Sequence, residues 1–70
     1  MTTSNNETKA RRQAIATNEG MAKGYWKVVL TDGTLIYTSL SRRKTAAAFA
    51  DEINQRGCYY DAFAKQVVDL

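Results

Sequence analysis

A small α+β domain, a ββα(β) unit in which one helix packs an antiparallel hairpin, is what this sequence predicts. Three observations carry that prediction. An Asp32-Gly33 pair separates two runs of aromatic and β-branched residues, the pattern of a hairpin. Residues 42–56 repeat apolar groups at helical spacing and stop before a glycine. The chain has seventy residues, room for one domain that buries only about 60% of its unfolded surface.

From Met1 to Lys23 the only large apolar residues are Met1, Ile15 and Met21, set among Thr, Ser, Asn and Gln. Such a stretch cannot offset its ordering entropy by burial. Residues 1–23 are therefore expected to form a flexible basic arm and residues 24–70 the globular module, with Gly20 and Gly24 at the junction. A helical stretch near Glu7 to Ala16 is compatible with the composition but too short to hold without a partner.

The hairpin follows. Tyr25 to Thr31 and Thr34 to Ser39 flank a two-residue loop, for which Asp-Gly suits a type I′ turn. That loop sets Leu30 opposite Leu35, Val29 opposite Ile36, Val28 opposite Tyr37 and Trp26 opposite Ser39. One face then carries Trp26, Val28, Leu30, Leu35 and Tyr37 and is assigned to the core. The other carries Tyr25, Lys27, Val29, Ile36 and Leu40 and has no evident cover.

Ser41 is placed to cap a helix over Arg42 to Arg56, and Gly57 to end it in a left-handed cap. Ala46, Phe49, Ala50 and Ile53 share one stripe, which should lie on the Trp26 face. The tail from Cys58 to Leu70 fits a third strand, or a short helix after Asp61. As a strand it would run beside the first hairpin strand, giving the order 2-1-3.

Chemistry is sparse. With one cysteine and no histidine there is neither a disulfide nor a zinc site, and no cofactor or metal is expected. Asp51 and Glu52 are adjacent, so on a helix they point about 100° apart and cannot converge on one substrate. Cys58 follows a helix C-terminus, whose partial negative charge disfavours the thiolate. No glycine-rich phosphate loop occurs. The expectation is a non-enzyme. The polar N-terminus offers neither a secretory leader nor a membrane span, which points to the cytoplasm.

Ten basic residues face seven acidic ones, a net charge of +3. Two clusters hold the excess, Lys9 with Arg11 and Arg12 in the arm, and Arg42-Arg43-Lys44 at the helix start. Three cations in a first helical turn oppose the helix dipole, so local stability did not select them. Lys9, Arg11, Arg12, Tyr25, Lys27, Arg42, Arg43 and Lys44 are thus the candidate partner-binding residues, aromatic anchors beside cations suiting an acidic protein surface or a nucleic acid. A monomer is expected.

In its size, its polar arm with Lys9, Arg11 and Arg12 and its core opening at Tyr25-Trp26-Lys27, the chain resembles the small host-takeover proteins of lytic bacteriophages. Among these are transcription regulators that bind bacterial RNA polymerase. The resemblance implies a polymerase partner in the host cytoplasm, with initiation blocked and terminators read through. A nucleic-acid-binding module and an anti-CRISPR inhibitor are the competing readings.

Overall fold

The computed structural model describes residues 11–70. Six elements follow in order: β1 (Ala14–Thr17), β2 (Trp26–Leu30), β3 (Leu35–Leu40), α1 (Arg43–Arg56), β4 (Cys58–Asp61) and β5 (Gln66–Asp69). The first three strands form an antiparallel sheet of order β1-β2-β3, and the last two form a separate hairpin. The α+β class stands, with one strand more at each end than the sequence suggested.

The strand at the N-terminal end corrects the arm. Ala14 to Thr17 do not float or turn into a helix; they pair with Leu30 to Lys27 of β2, and Ala14 is buried. This segment takes the place beside β2 that the tail was expected to fill. The tail instead folds on itself, Tyr59 opposite Val68 and Tyr60 opposite Val67, around a turn in which Asp61 Oδ1 accepts from the amides of Phe63 and Ala64 at 3.0 Å. Lys9 lies outside the described residues.

Hairpin β2-β3 forms where expected but turns differently. Asp32 keeps a negative φ, which a type I′ turn forbids, and only Gly33 is left-handed at φ 95°. Gly33 N donates to Leu30 O at 2.8 Å and Leu30 N to Thr34 O at 2.8 Å, closing a three-residue loop with a glycine bulge. The register moves by one, so that Val29 faces Leu35 rather than Ile36. A bulge between Val28 and Val29 restores the expected pairing of Val28 with Tyr37. A second, where Ser39 adopts φ 61°, sets Trp26 opposite Leu40 rather than Ser39.

These bulges decide the faces of β3. Val28 and Leu30 of β2 are buried as expected, but Ile36 and Leu40 pack against the core in place of Leu35, which is exposed. Tyr37 meets Phe49 of the helix, ring centroids 4.8 Å apart, and is 42% exposed.

Helix α1 begins one residue later than expected. Arg42, not Ser41, holds the capping position (φ −135°, ψ 131°), with no side-chain cap and no acidic residue in the first turn. Gly57 closes it in the left-handed conformation, its amide donating to Ile53 O at 2.8 Å. The predicted stripe packs inward: Ala46, Ala50 and Ile53 are buried and Phe49 is half-buried. Small alanines on both partners let helix and β1 approach until Asn54 grips Ala14 twice. Asn54 Oδ1 accepts from Ala14 N at 2.7 Å, and Nδ2 donates to Ala14 O at 3.0 Å.

Candidate functional site, a basic end around the helix start

The sheet meanders and α1 runs back along it, so the end of β1, the start of β2, the end of β3 and the start of α1 share one end of the molecule. Five cations lie there. Lys23 comes from the β1-β2 connection, Lys27 from β2, and Arg42, Arg43 and Lys44 from the helix start. Glu19 is the one acidic residue in these segments.

Arg42, Arg43 and Lys44 are exposed. The Arg43 guanidinium lies over the Trp26 ring, 5.6 Å from its centroid, which pins the helix start onto β2 while leaving the cation in water. Tyr25 is exposed beside it, and Lys27 is half-buried next to the loop. Among the described residues the ion pairs are Arg12 with Asp32 and Arg56 with Glu52, so none of the five cations at this end is neutralised by one. The loop is held by Asn18, whose Nδ2 donates to Tyr25 O at 2.7 Å and Ala22 O at 3.3 Å.

Arg11 and Arg12 lie at the other end and do internal duty. Arg11 Nη2 donates to Asn54 O at 3.0 Å, satisfying a last-turn carbonyl and complementing the negative end of the helix dipole. Arg12 donates to Asp32 Oδ2 at 3.0 Å, Asp69 O at 2.7 Å and Leu70 O at 3.4 Å, with its guanidinium 5.8 Å from the Tyr59 ring centroid. It ties three segments together: the lead into β1, the β2-β3 turn and the last strand. Asp32, held first by the Thr34 hydroxyl, then by the Thr34 amide and then by Arg12, has its carboxyl lowered from 3.8 to about 2. The Arg12 guanidinium is raised in turn, chiefly by its hydrogen bond to Asp32.

The eight expected residues therefore divide. Tyr25, Lys27, Arg42, Arg43 and Lys44 lie at one end of the molecule, Lys27 on the sheet face away from Trp26 and the helix; Arg11 and Arg12 are engaged in internal hydrogen bonds at the other end, and Lys9 is not described. Lys23 joins the first group; its place only one residue before Gly24 in a polar stretch gave no sign that the loop would fold back beside β2. Nor could the double grip of Asn54 on Ala14 be seen in a residue that reads as ordinary helix surface.

Asp51 and Glu52 are exposed, and Glu52 pairs with Arg56 one turn on. Cys58 is half-buried at the start of β4, opposite Asp69. Among the described residues no helix is long and apolar enough to cross a membrane. Set against family models, characterised proteins and solved structures, the chain matches none.

Proposed function

We propose that this chain is a non-enzymatic docking module that sets its basic end on an acidic surface of a larger cytoplasmic assembly. The observation that carries this reading is that Lys23, Lys27, Arg42, Arg43 and Lys44 lie at one end of the molecule, where the same segments hold a single acidic residue, Glu19. The helix start supports it: cations sit where acidic residues would stabilise the dipole, and the capping position holds an arginine with no capping side chain. The absence of histidine from the chain and the divergence of Asp51 from Glu52 favour a binder over a catalyst. Bacterial RNA polymerase is the partner that the resemblance suggests, with inhibited or redirected transcription as the outcome; an anti-CRISPR inhibitor would use the same docking logic.

Purified bacterial polymerase, immobilised and titrated with the chain, tests this directly. Binding by the wild type that drops at least tenfold in the Arg42→Ala, Arg43→Ala, Lys44→Ala triple variant is the expected result, since charge pairs at interfaces contribute about 1.5 kcal/mol or more. No binding, or equal binding by both, defeats it.

One observation favours a second reading. Arg43 lies over Trp26 and exposed Tyr25 stands next to Trp26 in the chain, so cations and aromatics share this end, the ingredients of nucleic-acid platforms. A gel shift whose affinity falls steeply with rising salt would select this reading over the first.

A further inference from the structure

At the end opposite the cations, hairpin β4-β5 leaves a large apolar group of side chains in water. Phe63 at its turn is 98% exposed, Val67 66%, Tyr60 58%, and Leu35 of β3 beside them 54%. They are contiguous: Tyr60 pairs with Val67, and Leu35, Ile36, Tyr59, Tyr60 and Phe63 line one groove of about 260 Å³ between β3 and the hairpin. A protruding phenyl thus stands at the rim of a hollow. Roughly 150 Å³ of apolar cavity is enough to hold benzene, so the groove has room for such a ring.

We propose that this face is a twofold interface between two copies of the chain, with Phe63 of each seated in the groove of the other. Knob and hollow on one patch are what a self-complementary, closed contact requires, because a single twofold axis then satisfies both at once. The amount of surface fits too. With 150–250 Å² for each aromatic side chain, the four residues offer about 500 Å² of apolar surface per copy, toward the upper end of what monomers leave bare. With the polar rim of Asp61, Lys65 and Gln66 it approaches the roughly 800 Å² per partner of a standard interface. The strand edges bordering the groove supply a further attraction: among the described residues β3 pairs with β2 and β4 with β5, and no described strand pairs with their other edges. This departs from the expected monomer, and it places the two basic ends away from the axis, free to act as a bivalent pair.

Sedimentation equilibrium of the full chain from micromolar to millimolar concentration tests it, with Phe63→Ser and the Arg42→Ala, Arg43→Ala double variant alongside. The wild type and the arginine variant should reach twice the chain mass with equal dissociation constants. Phe63→Ser should dimerise at least about thirty-fold more weakly, the loss typical of a hot-spot anchor. Because Phe63 is almost fully exposed in the described structure, an unchanged thermal melt of dilute Phe63→Ser will show that the fold is intact. A wild type that stays monomeric throughout, its patch left for a foreign protein or a lipid surface, overturns the proposal. So does a Phe63→Ser chain that dimerises as the wild type does.

Discussion

Asp32 works in two directions at once. Its Oδ1 receives the Thr34 hydroxyl at 2.7 Å and the Thr34 amide at 2.9 Å, which shapes the turn, while Oδ2 receives Arg12 at 3.0 Å, which moors the N-terminal segment. All three favour the charged carboxylate, so its folded pKa of about 2 lies below the ordinary 3.8. A depressed carboxyl stabilises the fold fully above the unfolded value, and the contribution is lost as pH falls through 3.8 toward about 2. Asp32→Asn should therefore lower stability at neutral pH and flatten the acid-side decline in urea unfolding followed across a pH series. An unaltered decline would show that Asp32 is not the group titrating there. Ser39 is the residue-scale counterpart in backbone geometry. A side chain held at φ 61° costs about 1–2 kcal/mol, which glycine avoids at the expense of some chain entropy. Ser39→Gly should gain about 0.5–1 kcal/mol, and Ser39→Val should lose at least as much, both read from urea midpoints.

Helix α1 shows the two ends of one element used for different purposes. Its C-terminus is well finished: Gly57 is left-handed, Arg56 lies in the last turn, and Arg11 covers the Asn54 carbonyl. Its N-terminus is left bare, with Arg42 at the cap and Arg43 and Lys44 in the first turn. Arg42→Ser would supply a capping oxygen and remove an opposing charge. It should add about 1 kcal/mol of stability by urea denaturation. The same substitution should weaken docking on the acidic partner, the trade expected where a site is kept at some cost to the fold. Equal stability in the variant would mean that the bare cap is no sacrifice.

For the whole molecule, the decisive contact is between segments far apart in sequence. The buried core is Ala14, Val28, Leu30, Ala46, Ala50, Ile53 and Tyr59, a mixture of small groups and few large ones, with Val28 and Leu30 sealed completely. Trp26 and Phe49, which the sequence marks as the bulkiest candidates, line its margin instead. So thin a core depends on β1, which contributes Ala14, the ladder to β2 and the mooring by Arg12 and Asn54. A chain beginning at Gly24 should fail to melt cooperatively by circular dichroism, whereas Leu30→Ala in the full chain should cost about 2–5 kcal/mol. A sharp transition in the shortened chain would restore the detachable arm.

Local chemistry made the β2-β3 hairpin, the helix limits and the inward stripe legible from sequence, because each depends on residues within a few positions of one another. Asp32-Gly33 marks a turn, though its loop is one residue longer than that pair suggested, and Ala46, Phe49, Ala50 and Ile53 can only share a side. The basic helix start was legible for the same reason. What only the tertiary structure decided was non-local. Ala14-Ile15-Ala16-Thr17 has too little apolar surface to announce a strand, and becomes one because Asn54, forty residues on, and the open side of β2 satisfy its backbone. Arg11 and Arg12 read as free cations until the partners that occupy them, the Asn54, Asp69 and Leu70 carbonyls, are brought alongside. A chain that buries so little leaves strand pairing and the fate of its charges to contacts between distant segments, and such contacts exist only once the whole has folded.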